Sequence, residues 1–387
     1  MIDGRLVDGG FVPELDRKPR LDIDTGNFTA KVDNFDLTNL TTYDQRYWYN
    51  RKYAKPDGPQ FLRIEGETTA KANWIADDDL PLVSLAKEIG ASLFLLEHRF
   101  YGESQPTGNL SVASLKYLTS QQALADIKNF ILGMKANFNF TNPRWILFGG
   151  SYAGSLVAWA RELYPNSVYG AVASSGPVQA VVDMSGYLEV VYHTLKNYDP
   201  ECVSSVKHGM LRVNELIKNG LIGMTKINDL ILDEYKQECA DVNYTTLITW
   251  FKDVEIGKNS SNIISEMTDE NVIPIDYFIK KCIDVFGDVF DNSTIYKNVD
   301  ETNAIYKGQK GYNGKRVVFS NGSNDPWHVL SVLEPTNEQN YPILINGTSH
   351  CADLYPAKEN DHPNLKRARE LIRNHVISWV KNIDGKY

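Results

Sequence analysis

The segment Trp145-Ile-Leu-Phe-Gly-Gly-Ser-Tyr-Ala-Gly154 constrains the fold more than any other stretch of this chain. An apolar run ends in two glycines, a serine follows, and a helix-compatible stretch begins at once. A serine on a sharp strand-to-helix turn sits in a strained conformation, so the residues two before and two after it must be very small. Gly149 and Ala153 fill those positions, with Gly150 and Gly154 adding room. The helix start directs backbone N–H groups at negative charge developing beside the serine, and the Tyr152 N–H is the natural first donor. The segment reads as a nucleophile elbow with Ser151 as the nucleophile. A glycine-rich turn with an incidental serine is the competing reading, because short strings of this kind are common.

The surrounding pattern favours the elbow. Strands are expected near residues 44–50 and 60–65, followed by a helix over 80–89 stopped by Gly90. Residues 91–96 are a short, almost continuous apolar run, as expected of a strand buried on both faces. Thr119-Ser-Gln-Gln122 is a capping-box pattern, and Leu124, Ile127, Phe130 and Ile131 recur behind it at helical spacing. The elbow strand is expected over 144–148, a helix over 155–163 and another strand over 168–174. Strands and helices alternating in this way predict an α/β fold, a mostly parallel sheet with helices on both faces. About 130 residues, 179–311, interrupt the rhythm with helical patterning and hold three of the four cysteines, so they read as an inserted helical cap. Strands resume at 316–319 and 341–345, and a final helix is expected over 364–382. The polar residues 1–40 read as an N-terminal arm, leaving 41–178 and 312–387 as the core.

With Ser151 as nucleophile, an α/β-hydrolase places an acid after a later strand and a histidine after the next. Asp325 lies in the loop Ser320-Asn-Gly-Ser-Asn-Asp-Pro-Trp327, and His350 in the loop one strand on. Serine needs both, since an imidazole must take its proton and a carboxylate must hold the imidazole's tautomer. Asp325 before proline is also a common turn former, and six other histidines compete, His328 closest to the acid. Protonation of His350 stops such a mechanism, so an acid optimum requires a depressed histidine pKa. In Glu97-His-Arg-Phe-Tyr-Gly-Glu-Ser104 the first reading is an ion-pair network of Glu97, Arg99 and Glu103 holding a loop. Glu97 and Arg99 are also candidates for touching a substrate terminus.

A net charge of −9 argues against a nucleic-acid or anionic-membrane surface. No apolar stretch is long enough to span a bilayer. Cys202, Cys239, Cys282 and Cys351 lack the paired spacing of a zinc site, so disulfides or buried thiols are expected, with no metal and no cofactor. Glycosylation sequons stand at Asn27, Asn39, Asn109, Asn139, Asn243, Asn259 and Asn292, and also at Asn321 and Asn346 beside the proposed catalytic loops. They point to the secretory pathway, which glycans and disulfides share. Residues 1–10 contain no apolar core of signal-peptide length, so the expectation is of a leader missing from this chain.

Four motifs, Phe148-Gly-Gly-Ser-Tyr-Ala-Gly154, Glu97-His-Arg-Phe-Tyr-Gly-Glu-Ser104, Asn321-Gly-Ser-Asn-Asp-Pro-Trp-His328 and Ser349-His-Cys-Ala-Asp353, stand in this order. Together with Val32-Asp-Asn-Phe35 and Gln45-Arg-Tyr-Trp-Tyr-Asn50 they resemble the family of lysosomal prolyl carboxypeptidase, dipeptidyl peptidase II and thymus-specific serine protease. The resemblance runs from about residue 32 to the C-terminus. It implies an α/β-hydrolase with a helical cap, cleaving peptides near a chain end beside proline, secreted or lysosomal, with peptides as partners and a homodimer as a candidate assembly. The family's triad carries over onto Ser151, Asp325 and His350, and Trp327 becomes a candidate apolar wall for a proline ring, with a loop anchor as its rival role. Two departures stand out. The family's Gly-Gly-Glu-Gly-like loop, the source of its second oxyanion donor, here reads Ile64-Glu-Gly-Glu-Thr68, which leaves Gly66 as the candidate donor and puts non-glycine residues where glycine conformations are expected. A Trp-x-x-Gln-Thr-Cys segment expected before Cys282 is not recognisable between residues 244 and 282. These departures keep two alternatives in view, a catalytically weakened homologue acting by binding and an esterase of the same fold.

Overall fold

The computed structural model describes residues 23–218 and 275–381. Eight strands form one sheet: β1 (Asp24–Lys31), β2 (Thr42–Asn50), β3 (Gln60–Ile64), β4 (Ser92–Leu96), β5 (Trp145–Gly150), β6 (Gly170–Ser174), β7 (Val317–Gly322) and β8 (Asn340–Ile345). Their spatial order is β1-β2-β4-β3-β5-β6-β7-β8. The β1–β2 and β2–β4 pairs are antiparallel, and every other neighbouring pair is parallel. All strands from β3 onward therefore end at the same edge, the edge at which open sheets of this kind bind ligands.

The central strands are hydrophobic without alternation because both faces are covered. On one face Leu62, Phe94, Leu147, Ala173 and Phe319 pack with helices α2 (Ser120–Asn137) and α3 (Tyr152–Leu163). On the other, Phe61, Leu95, Ile146, Phe148 and Val318 pack with α1 (Pro81–Ile89) and the final helix over Pro363–Lys381. α1 stops where expected, at Gly90 in the left-handed region with φ 79°, where a side chain would be strained. α2 starts where expected, with the Thr119 hydroxyl accepting the Gln122 N–H at 3.2 Å. The returning half of the capping box is absent, because the Gln122 side chain bonds Asn34 and Asp33 instead.

The segment expected as an N-terminal arm carries β1, paired along its length with β2. It is an edge strand with one buried residue, Ala30, which is why apolar patterning does not reveal it. Contacts divide the chain into two units, Val181–Val299 and the remainder, Met1–Ala180 with Asp300–Tyr387. Residues 300–311, expected in the cap, thus fall with the core. The reason is visible at Tyr306, whose ring stacks on Trp159 with centroids 4.0 Å apart. Within Val181–Val299 the described elements are helices over Ser185–Tyr198, Pro200–Lys218 and Ile275–Phe286, a single 3₁₀ turn over Asp288–Phe290 and the first half of Asn292–Tyr306, with no strand among the described residues.

Asn27, Asn109, Asn139, Asn292 and Asn346 are exposed and Asn39 is half-buried, whereas Asn321 is enclosed in β7 and inaccessible to glycosylation. Asn243 and Asn259 lie outside the described residues. Cys202, Cys282 and Cys351 are thiols not bonded to one another, and Cys239 lies outside the described residues. No described helix is long and apolar enough to cross a membrane.

Candidate active site

β5 delivers Ser151 at φ 60°, ψ −132°, a strained conformation that the first turn of α3 immediately follows. The turn is so tight that a Cβ on Gly149 would lie 2.2 Å from the Ala153 carbonyl oxygen, so only glycine fits there. Ser151 is 8% exposed. Its N–H donates to the Ser174 carbonyl at the end of β6, 2.9 Å away, which ties the elbow to the neighbouring strand. The Tyr152 N–H opens the helix and belongs to the first turn, whose donors no helical carbonyl can take.

Asp325 and His350 come from the loops after β7 and β8, and the structure brings them together. His350 Nδ1 lies 2.8 Å from Asp325 Oδ2, and both residues are buried. The other Asp325 oxygen accepts the Trp327 N–H at 3.0 Å, which fixes the carboxylate's orientation. His350 Nε2 is buried without a hydrogen-bond partner. The His350 loop reaches the elbow through β6: the Cys351 N–H donates to Ser175 Oγ at 2.9 Å, and Cys351 Sγ lies 3.7 Å from the same Ser174 carbonyl that holds Ser151. His328, the nearest rival, directs Nδ1 at the Asp325 carbonyl, 2.6 Å away, and does not meet the carboxylate.

Gly66 also lies at the elbow, with its Cβ direction 3.5 Å from the Ala153 nitrogen. No residue from Glu65 to Thr68 has a left-handed backbone, so the non-glycine residues of this loop impose no strain. Burial raises the Glu65 carboxyl against the opposing pull of Arg63. Glu67, on the same loop, is half-buried and within electrostatic reach of His350, Tyr101 and Tyr152, and burial raises its carboxyl too.

Glu97 and Arg99 are fully buried, so neither touches a substrate terminus. Glu97 accepts from Arg46, the Ala70 and Glu103 N–H groups and the Ser104 hydroxyl, and through Ala70 it anchors the loop that carries Gly66 and Glu67. Arg99 forms a side-on pair with Asp126, with both distances 2.7 Å. Glu103 is exposed and only skirts Arg46, 3.7 Å away. His98 between them has a role the sequence did not reveal. Its Nδ1 donates to the Arg99 carbonyl at 2.7 Å, so Nε2 is the acceptor for the Tyr152 hydroxyl at 3.2 Å. Burial pushes His98 down to about 4, which keeps it neutral and preserves that acceptor.

The sheet order, the left-handed serine at the end of β5 and the helix that follows define an α/β-hydrolase. The chain belongs to the serine carboxypeptidase S28 family, whose model matches residues 30–254 and 223–372. A Caenorhabditis elegans protein named as a serine protease is 31% identical, covering 92% of this chain and 88% of its own. Human thymus-specific serine protease is 27% identical, covering 90% and 85%, and human lysosomal Pro-X carboxypeptidase 24%, covering 92% and 88%. The first of these alignments spans 448 positions against a chain of 387 residues, so that relative carries segments with no counterpart here. Among solved structures, proline iminopeptidase of Mycobacterium smegmatis is 15% identical with a TM-score of 0.46, covering 93% of this chain and 100% of its own. A peroxisomal α/β-hydrolase of Saccharomyces cerevisiae is 12% identical with a TM-score of 0.48, covering 94% and 89%. By family the protein is a serine peptidase.

Proposed function

We propose that the protein is a serine exopeptidase that cleaves peptide bonds near a chain terminus beside proline, with Ser151 as nucleophile, His350 as base and Asp325 as its orienting acid. The observation that carries this reading is the 2.8 Å Asp325–His350 bond with Nε2 left over, in a loop joined to the elbow through Ser174 and Ser175. His350 Nε2 takes the Ser151 proton as Oγ attacks the scissile carbonyl, and the imidazolium is stabilised by Asp325. The Tyr152 N–H receives the oxyanion, and His350 returns the proton to the leaving amine. Water, deprotonated by the same base, then releases the acyl group. Gly66, whose backbone lies against Ala153 and Tyr152 at the elbow, supplies the second donor. Half-buried Trp327 walls the proline subsite, and the helical insertion, residues 181–299, serves as the cap. Five exposed sequons support a glycosylated protein of the secretory pathway, secreted or lysosomal.

The test is to incubate purified protein with a fluorophosphonate probe and with Pro-containing peptides, blocked or unblocked at each end, and to identify products by mass. Labelling at Ser151 with release from one terminus is expected. Internal cleavage, or faster hydrolysis of a simple ester than of any peptide, overturns the exopeptidase reading.

Which terminus is bound has one specific pointer, the Glu67 carboxylate near His350. An anion there favours a free peptide amine, hence dipeptidyl-peptidase action. In that case Glu67→Gln raises KM for unblocked peptides with little change in kcat, and N-acetylated peptides are poor substrates. Cleavage of N-acetylated peptides at the C-terminus would assign the carboxypeptidase mode instead.

The pH profile follows from the histidine. Burial opposes charge on His350, but the Cys351 sulfur and the Asp325 carboxylate outweigh it and hold the ring above the ordinary imidazole range. The base works only when neutral, so kcat/KM should rise with pH through an apparent pKa above about 6.5. Cys351→Ala should move that limb downward. A limb at or below the ordinary histidine value would show that the mechanism uses a different protonation scheme and would suit an acidic compartment.

A further inference from the structure

A cavity of about 460 Å³ lies on the sheet face opposite α3, between α1 and the final helix. None of Ser151, Asp325 and His350 lines it. Its walls are apolar, with Trp74, Leu80, Phe148, Val172 and Ile372 prominent, and its volume is that of a small-molecule site. Charged side chains also stand around this apolar wall, and one of them is set apart by its burial. Arg63 on β3 is 2% exposed and contributes to the lining, yet its Nε and Nη2 are buried with no hydrogen-bond partner. The guanidinium is supported from one side by the Trp74 ring, 3.7 Å away, and Glu65 stands 3.8 Å from Nη2, beyond hydrogen-bond reach.

A buried cation with unmet donors is expensive unless something pairs with it. Asp79 and Glu370 also line the cavity, and several of the other charges around it are already engaged. Arg369 bonds Asp361, Arg373 bonds Glu88, and the Asp353 carboxylate accepts the Ser174 and Ser320 hydroxyls. Burial also raises the Asp353 and Glu65 carboxyls, which weakens them as competitors for the guanidinium. We propose that this cavity binds an amphipathic carboxylate, with its head on Arg63 Nε and Nη2 and its apolar body along Leu80, Phe148, Val172 and Ile372. The Nε and Nη2 edge of a guanidinium matches the two oxygens of one carboxylate, and a bare inorganic anion would leave the apolar walls unused.

Calorimetric titration of the full chain with octanoate, octanamide and octylamine tests the proposal. Octanoate is expected to bind at least about tenfold more tightly than octanamide, and octylamine most weakly. Arg63→Met should reduce octanoate to the octanamide level while fluorophosphonate labelling, which reports an intact elbow, is retained. Should that variant not fold, Ser84→Trp at the cavity's exposed wall obstructs the site without touching the buried cation and should weaken octanoate binding by a similar factor. Equal affinity for octanoate and octanamide, undiminished octanoate binding in either folded variant, or no binding by any of the three overturns the proposal.

Discussion

Replacing Ser151 with alanine is expected to lower kcat on a Pro-containing peptide by about 10⁶-fold and to abolish fluorophosphonate labelling, while the melting temperature stays close to that of the parent. The side chain removed is small, and the strained backbone at φ 60° is held by the Ser174 carbonyl and the packing of Gly149 on Ala153, none of which involves the hydroxyl. Asp325→Asn should cost about 10⁴-fold, because an amide at this position can donate to Nδ1 and so favours the tautomer with its proton on Nε2, where the serine's proton must go. The Trp327 N–H would keep the amide oxygen in place, so geometry is preserved while chemistry is lost. The double variant should be no slower than Ser151→Ala alone, since the two residues act as one unit. A single-variant loss below tenfold at Ser151, or additive losses in the pair, would remove the serine from the mechanism.

The sequence carried the strands of the parallel sheet well because each is a short apolar run closed by glycine or a polar loop, as at residues 91–96 and 145–150. Asp325 and His350 were readable for a related reason: each follows such a run, and the loops after parallel strands share one edge. β1 was not readable, since an edge strand written Asp-Thr-Gly-Asn-Phe-Thr-Ala-Lys buries too little to show a pattern. Nor were the supporting contacts. Glu97 bonds Ala70, 27 positions away, and His98 bonds Tyr152, 54 positions away. Partnerships of that kind depend on which strand lies beside which, and the crossing of β4 over β3 in the sheet order leaves no periodic trace in the chain. The same limit hid residues 300–311, which join the core through the Tyr306–Trp159 stack and through long-range bonds of Asn303, Lys307 and Gln309 to Ala180, Glu162 and Val329. Charge alone drew attention to Glu97 and Arg99, but charge without burial cannot separate a substrate contact from an internal brace.

Arg99→Ala is expected to destabilise the protein by about 3–5 kcal/mol, the usual cost of stranding one half of a buried ion pair. Arg99 is fully buried and Asp126 nearly so, and the carboxylate also accepts from Tyr43 and Asn34. Pairing is not the whole role, because the guanidinium also donates to the carbonyls of Lys31, Val32 and Tyr117. A double change to Met at 99 and Leu at 126 removes both charges yet leaves those three carbonyls, the Tyr43 hydroxyl and Asn34 unmet. It should therefore recover only part of the loss, unlike ion pairs that swap cleanly for apolar residues. Activity should fall with stability at Arg99→Ala even at temperatures where the protein stays folded, since the next residue, His98, holds the side chain of Tyr152, the proposed oxyanion donor. Chemical denaturation of the single and double variants, with kcat measured well below the melting transition, separates the two effects. Full recovery of stability in the double variant would reduce Arg99 to an exchangeable ion pair, and unchanged kcat in the folded single variant would break the link from Arg99 through His98 to Tyr152.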